Sequence, residues 1–325
     1  MSPIGMTTTV PVEIILASGR KPVDLNNIFI THDNPNSYLE TAEEAGFPRN
    51  CCGWIKGLYS VALEQDAIQE VIAVTQGDCS NTQALMETYQ LEGIKTIPFA
   101  YPEDRDYDML KLQMEKLISA LGTTWDATYE VKERLKSVRE KLVELDRLTW
   151  ETNQVNGFYN HLYLVSSSDF NGDVGAFEAE LDTFLAEAKS KNPYEQKLRL
   201  GFIGVPPIMP EIYDYVETQG ARVVFNEVQR QFSMPNQEND LVEQYRRYTY
   251  PYGVFPRLAD IEEQIELRHL DGLIHYVQSF CFRQIEDIIF RKKLEIPMLT
   301  IEGDRPGKLD ARTKLRLDSF LEMLK

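Results

Sequence analysis

Asp271 to Asp304 reads D-G-L-I-H-Y-V-Q-S-F-C-F-R-Q-I-E-D-I-I-F-R-K-K-L-E-I-P-M-L-T-I-E-G-D, and its reading decides the fold. An apolar run, Leu273 to Phe280, has the length and β-branched content of a buried strand. A helical pattern follows, and then a second short apolar run, Met298 to Ile301. Strand, turn, helix and strand in that order make one β-turn-α-β unit, the building block of a parallel sheet. Cys281 falls where the strand ends and the helix begins. In open α/β sheets the strand ends frame the ligand crevice. A helix N-terminus also lowers a thiol's pKa, so a thiolate is favoured there. A lone cysteine in such a run is as readily a small buried hydrophobe. Its meaning therefore depends on whether the other cysteines share its address.

Working outward, Leu198 to Val205 and Arg222 to Phe225 supply two more strands of the same kind, separated by a helix from Pro210 to Gln219 that Gly220 closes. The strand after that helix ends in Asn226-Glu227. Toward the N-terminus, Val12 to Ala17 reads as a strand closed by Ser18-Gly19, with a polar loop through Asn36 and a helix from about Ser37 to Ala45. N-C-C-G-W-I-K-G at Asn50 to Gly57 leads into another helix. Val71 to Val74 is a short buried strand, T-Q-G-D-C-S-N-T at Thr75 to Thr82 turns into the helix Gln83 to Gln90, and Ile94 to Ala100 is a strand. Between these halves, Val131, Leu135, Val138, Leu142 and Leu145 recur at helical spacing within Asp126 to Leu148. Gly175 to Lys191 is a weaker helix, and Arg312 to Leu324 closes the chain as an amphipathic one. Gln231 to Arg257 shows little periodicity and reads as a long excursion near a site.

The expected class is α/β: two flavodoxin- or Rossmann-like parallel-sheet domains facing a central cleft, with a helical linker and a C-terminal helix. The N-terminal domain takes residues 1–105, the helical region 106–196 and the C-terminal domain 197–325. A chain of 325 residues with 43% hydrophobic residues is long enough for two such cores. A formal net charge of -17 argues against nucleic acid and anionic membrane as partners. Met1 to Pro11 carries neither a basic nor an apolar targeting segment, and no apolar run is long enough to span a bilayer, so a cytoplasmic location is expected.

The four cysteines are Cys51, Cys52, Cys79 and Cys281, too scattered for a disulfide framework, and none forms a C-x-x-C pair. Yet Cys51 or Cys52 lies just before a helix, Cys79 lies between a strand and a helix, and so does Cys281. Three thiolates at helix starts suit a 4Fe-4S cluster with one iron left open, because the partial positive charge of helix N-termini favours an anionic cluster. Zinc held by three thiolates and a water is the competing metal. The absence of G-x-x-x-x-G-K-S/T, and a G-x-P-P rather than G-x-G-x-x-G at Gly204 to Pro207, disfavour nucleotide binding by this chain.

Several stretches are similar to one known family. V-E-I-I-L-A-S-G-R-K-P-V at Val12 to Val23, C-G-W-I-K at Cys52 to Lys56, G-I-K-T-I-P-F at Gly93 to Phe99, G-A-R-V-V-F-N-E at Gly220 to Glu227, D-G-L-I-H-Y-V-Q-S-F-C at Asp271 to Cys281 and E-I-P-M-L-T-I-E-G-D at Glu295 to Asp304 resemble the 2-hydroxyacyl-CoA dehydratase and benzoyl-CoA reductase family. The resemblance is to its smaller iron-sulfur subunits, of the 2-hydroxyglutaryl-CoA dehydratase D-component type. It departs in having Asp78 before Cys79 rather than Asp after the cysteine, and Asp304-Arg305 in place of the family's Asp-Tyr. The likeness implies a 4Fe-4S component that takes one low-potential electron from a separate ATP-dependent activator protein. That electron would drive radical dehydration, or reduction, of an acyl-CoA thioester. It further implies a related second subunit, or a second copy as a dimer. It places the metal ligands at Cys52, with Cys51 as substitute, at Cys79 and at Cys281, with Lys56 beside the first. A non-catalytic iron-sulfur electron-transfer or scaffold protein is the alternative.

Among other candidates, Glu227 at a strand end is placed for acid/base or polar contact work. His275 inside its strand is either a core histidine or a proton donor. Ser166 to Ser168 with Asp169 read as a turn and cap or as a site. Tyr245, Tyr248, Tyr250 and Tyr252 with Arg246 and Arg247 read as a CoA or partner surface or as a packing segment.

Overall fold

The computed structural model describes residues 2–325 and divides into two compact units. The first takes the chain through Glu140 together with Ser166–Glu178 and Met234–Gly253. The second takes Lys141–Val165, Ala179–Ser233 and Val254–Lys325. Each is built on a four-stranded, wholly parallel sheet. The first contains β1 (Pro3–Met6), β2 (Lys21–Asp24), β3 (Glu70–Gln76) and β4 (Lys95–Ala100), in spatial order β2-β1-β3-β4. The second contains β5 (Leu198–Gly204), β6 (Ala221–Asn226), β7 (Gly272–Val277) and β8 (Met298–Glu302), in order β6-β5-β7-β8. The α/β class with two parallel sheets is therefore what the sequence led us to expect.

The two orders are the same order. In each sheet the first strand lies between the second and third, so the chain leaves it in one direction and returns on its other side. That makes the gap between the carboxyl ends of the first and third strands a topological switch point, where helices diverge and ligands bind in open α/β sheets. The loops after β3 and β7 both open onto such a point.

The strands form where the residues require burial on two faces. All six residues of β6, at the edge, and all six of β7, in the interior of the sheet, are buried, which suits A-R-V-V-F-N and G-L-I-H-Y-V to strands covered on both faces. In the core of the second unit Ile203, Val224, Phe225 and Leu273 of the sheet cluster with Val254, Leu258, Ile261 and Phe290 of the helices Val254–Arg268 and Phe282–Lys293. No helix among the described residues is long and apolar enough to cross a membrane.

Three expectations are corrected. Val12–Ala17, expected as a strand, is a helix. Six apolar residues carry too little periodicity to separate a buried strand from a buried helical turn. The fold makes the choice, because as a helix the segment turns Glu13 toward Arg139 Nη1 at 2.7 Å and the Tyr245 hydroxyl at 2.8 Å. The strand lies earlier, at Pro3–Met6, where the side chains of Ile68, Val71 and Leu25 come within 3.1 to 3.2 Å of where a Cβ on Gly5 would stand. The polar loop expected through Asn36 contains β2 and the helix Leu25–Thr31, capped by Asp24. The excursion Gln231 to Arg257 contains the helix Leu241–Arg247 and the start of Val254–Arg268, and helices Tyr107–Leu121 and Gly157–Ser166 are additional.

Candidate functional site

β3 ends at Gln76, and the chain turns through Gly77 at φ 102°. A side chain there would meet the Pro251 carbonyl at 2.6 Å, so the turn requires glycine twice over, for its dihedral and for its space. Asp78 accepts a hydrogen bond from the Tyr250 hydroxyl at 3.0 Å. Cys79 follows. Its Sγ accepts from the Asn81 backbone N–H at 3.4 Å, and its carbonyl accepts from the Thr82 N–H at the start of the helix Thr82–Leu91. The tyrosines of the 245–252 segment are all buried within this unit: Tyr245 reaches Glu13, Tyr252 donates to the Tyr245 carbonyl, and Tyr250 holds Asp78. Tyr250 and Pro251 are the members of this segment that meet the Cys79 loop, at Asp78 and Gly77.

β7 runs to Val277, and Ser279 is then clamped by Asp304. The Ser279 N–H donates to Oδ1 at 2.8 Å and its hydroxyl to Oδ2 at 2.6 Å. Phe280 adopts a left-handed conformation, φ 59°, and Cys281 becomes the N-cap residue of the helix Phe282–Lys293, accepting from the Gln284 N–H at 3.0 Å. Cys79 and Cys281 thus hold the same place in two sheets of the same order: the loop after the third strand, before a helix.

Cys52 is the N-cap residue of the helix Gly53–Glu64 and is buried, while Cys51 is half-buried. Burial pushes the Cys51 thiol up, and the Lys56 ammonium opposes that shift. Lys56 is itself buried and donates to Glu43 Oε1 at 2.8 Å and to the Arg49 carbonyl at 3.2 Å. None of the four cysteines is in a disulfide. Each thiol is thus a soft donor beside a helix start, a ligand type to which iron or zinc are suited. Among the described residues, no three His, Cys, Asp or Glu side chains are gathered as a metal-holding group. The donors fit a thiolate-bound metal by type and local setting.

Behind the Cys281 helix stands an ionic framework that includes Glu227 and His275, which the sequence singled out, and Arg257, Glu286 and Asp287, which it did not. Arg257, fully buried, donates from Nε to Glu227 Oε1 at 2.6 Å and from Nη2 to Oε2 at 2.9 Å, and its Nη1 pairs with Glu286. Glu227 Oε2 also accepts from the Gly204 N–H at 2.9 Å, at the carboxyl end of β5. Burial raises the Glu227 carboxyl, but the Arg257 guanidinium outweighs it and holds the group below the usual carboxylate range. Glu227 is therefore ionised and bound on both oxygens. His275 Nδ1 lies 2.7 Å from Asp287 Oδ1, and its buried Nε2 has no hydrogen-bond partner. Glu286 and Asp287 are consecutive on the Cys281 helix, so one contact ties that helix to the neighbouring helix Val254–Arg268 through Arg257 and the other ties it to β7 through His275.

In the first unit, Asp169 Oδ2 accepts from the Asp24 N–H at 2.7 Å, and the Ser168 hydroxyl donates to Asp24 Oδ2 at 2.7 Å. The S-S-S-D segment thus joins the carboxyl end of β2 as a buried carboxylate pair. Desolvation, followed by the charge of Asp24, pushes Asp169 up to about 7. The sequence pointed to Ser166 to Asp169 but not to Asp24, which looks there like any loop aspartate.

Comparison with curated proteins finds no match. The model of one protein family, described as 2-hydroxyglutaryl-CoA dehydratase, D-component, matches residues 7–324, nearly the whole chain. The chain belongs to the 2-hydroxyglutaryl-CoA dehydratase D-component family.

Proposed function

We propose that this chain is the iron-sulfur component of a 2-hydroxyacyl-CoA dehydratase, with Cys79, Cys281 and Cys52 as thiolate ligands and Cys51 as the substitute for Cys52. The observation that carries the proposal is the shared address of Cys79 and Cys281, each in the loop after the third strand of a β2-β1-β3-β4 type sheet and each against a helix start. A 4Fe-4S cluster with one iron not bound by cysteine would supply one-electron chemistry and a Lewis-acidic contact for a thioester substrate's oxygen.

The protein's own part is placement. The Asn81 N–H bonds the Cys79 sulfur, and the start of the Phe282–Lys293 helix favours charge on Cys281. Tyr250 and Asp304 hold the two loops from behind. Lys56 places a cation near the first cysteine pair. Glu227 acts as a fixed polar contact at the β5 edge. His275 steadies the Cys281 helix through Asp287, and as a proton donor it would act through Nε2. The electron source is a separate ATP-dependent activator protein, in keeping with the absence of a phosphate-binding loop motif here, and a second subunit completes the acyl-CoA site.

The test is anaerobic purification with iron and sulfide analysis. About four irons per chain are expected, falling sharply in Cys79→Ser and Cys281→Ser, with Cys51→Ser compared against Cys52→Ser to identify the first ligand. A colourless protein carrying a single zinc, or iron content unchanged in both Cys79→Ser and Cys281→Ser, overturns the reading.

A further inference from the structure

Arg199 and Arg222 are register partners on the neighbouring parallel strands β5 and β6, each the second residue of its strand, so both side chains leave the same face at the amino end of the sheet. Like charges set opposite one another in a ladder repel. The other buried arginines are each neutralised at close range. Among the described residues Arg139, Arg230, Arg257, Arg268 and Arg283 all have a carboxylate oxygen within 3.6 Å, on Glu13, Asp260, Glu227, Asp146 and Glu286 respectively. Arg222, only 1% exposed, is bonded to neutral oxygens instead. Its Nη1 donates to Asn153 Oδ1 at 2.5 Å and its Nη2 to the Val155 and Thr149 carbonyls at 2.8 and 3.3 Å, while its Nε has no hydrogen-bond partner. Arg199 donates to the same Asn153 Oδ1 at 3.1 Å, and otherwise to the Trp150 and Arg268 carbonyls. Two guanidinium groups thus converge on one uncharged amide oxygen.

Capping of helix ends accounts for part of this charge. Thr149 and Trp150 close the helix Trp125–Trp150, and Arg268 closes Val254–Arg268. A helix end carries about half a negative charge, so two ends leave roughly one positive charge without a direct counter-ion. Glu217 and Asp271 act only from farther off. Glu217 Oε1 accepts from the Gly157 N–H at 3.4 Å, and burial pushes that carboxyl up; Asp271 Oδ2 accepts from the Arg199 backbone N–H at 2.7 Å. Burial, opposed by Glu217 and reinforced by the charge of Arg199, pulls the Arg222 guanidinium down to about 10, so it stays charged at neutral pH. The ring of Tyr194 lies over that guanidinium at 4.9 Å, in a stretch, 192–197, with neither helix nor strand, so part of the cover is a half-buried side chain on irregular backbone. We propose that Arg199, Arg222 and Asn153 form a binding site for a phosphate group, whose charged oxygens take up guanidinium donors that now meet only the Asn153 amide oxygen or, at Arg222 Nε, nothing. The guanidinium fork matches phosphate oxygens in spacing and supplies charge-assisted bonds. The site stands at the amino end of the second sheet, whereas Cys281 follows the carboxyl end of β7. It makes no use of the cysteine-ligand reading, and either stands if the other fails.

Isothermal titration calorimetry and thermal unfolding of the full chain with inorganic phosphate, at ionic strength held constant with sodium chloride, test it. The wild type is expected to bind phosphate saturably, with half-saturation at about 1 mM or below, and to unfold at a higher temperature as phosphate is added. Asn153→Asp puts a built-in carboxylate between the guanidinium groups with little change of shape. That variant is expected to unfold at a higher temperature than wild type without phosphate, and to bind phosphate at least about tenfold more weakly. Arg199→Gln, at the half-buried member of the pair and with a circular dichroism spectrum matching wild type, is expected to weaken binding by a similar factor. Repeating the titration with an alkyl phosphomonoester separates two sources of the ligand: binding like that of the free ion assigns the phosphate group of a larger molecule, and binding of the free ion alone assigns inorganic phosphate. A wild type without saturable binding of either overturns the proposal. So does equal binding by wild type, Asn153→Asp and Arg199→Gln, the mark of an adventitious ion only.

Discussion

Replacing Arg257 by methionine should destabilise the second unit severely, and in a pH-dependent way. Arg257 and Glu227 have side-chain exposures of 0% and 1%, and the pair is bidentate, with Glu286 on the third guanidinium nitrogen. The substitution keeps most of the hydrocarbon stem and leaves two buried carboxylates without their common cation. Removing one partner of a buried ion pair costs about 3–5 kcal/mol, because the remaining charge is neither solvated nor compensated. Against the ~5–15 kcal/mol that holds a typical domain folded, that is a large fraction. At about 2–4 °C per kcal/mol for a unit of this size, the second unit's transition should fall by about 6–20 °C.

The pH dependence follows from the sign of the Glu227 shift. In the wild type its folded pKa is depressed, so its contribution is present above the unfolded carboxylate value and is lost as pH falls through the folded one. In the variant burial is opposed only by the Gly204 N–H and the charge of Arg283, and the folded pKa is expected above the unfolded value. The deficit is then full at neutral pH and shrinks as acid protonates the buried group. The gap between variant and wild type in urea unfolding, followed by circular dichroism, should therefore narrow from pH 7 toward about pH 4. Glu227→Gln in the Arg257→Met background should recover part of the loss. A loss under about 1 kcal/mol, or a gap that does not change with pH, would refute the claim that this pair is a desolvated electrostatic unit.

In the first unit, Asp169 is pushed up to about 7 by burial and by Asp24. A raised carboxyl contributes stability below its unfolded value of about 4 that is lost as pH rises toward 7, so melting of this unit should weaken over that window, and Asp169→Asn should flatten the slope. Gly77→Ala adds a Cβ 2.6 Å from the Pro251 carbonyl at φ 102°. It should cost ~1–3 kcal/mol in chemical denaturation, and a neutral result would mean the Cys79 turn relaxes freely. Lys56→Met leaves Glu43, 2.8 Å from Lys56 Nζ in the native protein, without that cation and removes the charge that opposes burial at Cys51. Stability should drop by ~1–3 kcal/mol and alkylation of Cys51 at fixed pH should slow; faster alkylation in a folded variant would contradict the assigned electrostatics.

Sequence determined the class of the fold and the addresses of the cysteines, because both are local. The strands β3, β5, β6, β7 and β8 are runs of β-branched and aromatic residues bounded by turn residues, and such runs form strands through burial on two faces whatever lies around them. Cys79 and Cys281 each follow such a run and precede a helical period, so their place at a strand-to-helix junction could be read in order along the chain. Tertiary structure alone decided the rest. Val12–Ala17 is a helix because Glu13 finds Arg139 and Tyr245 more than a hundred residues away. Arg257 lies in a segment without periodicity, yet it joins Glu227 of one helix to Glu286 of another. Asp24 meets Asp169 across 145 positions of sequence. These are charges whose energies depend on desolvation and on one partner a few ångströms distant, and neither quantity has a period or spacing that a linear pattern can carry.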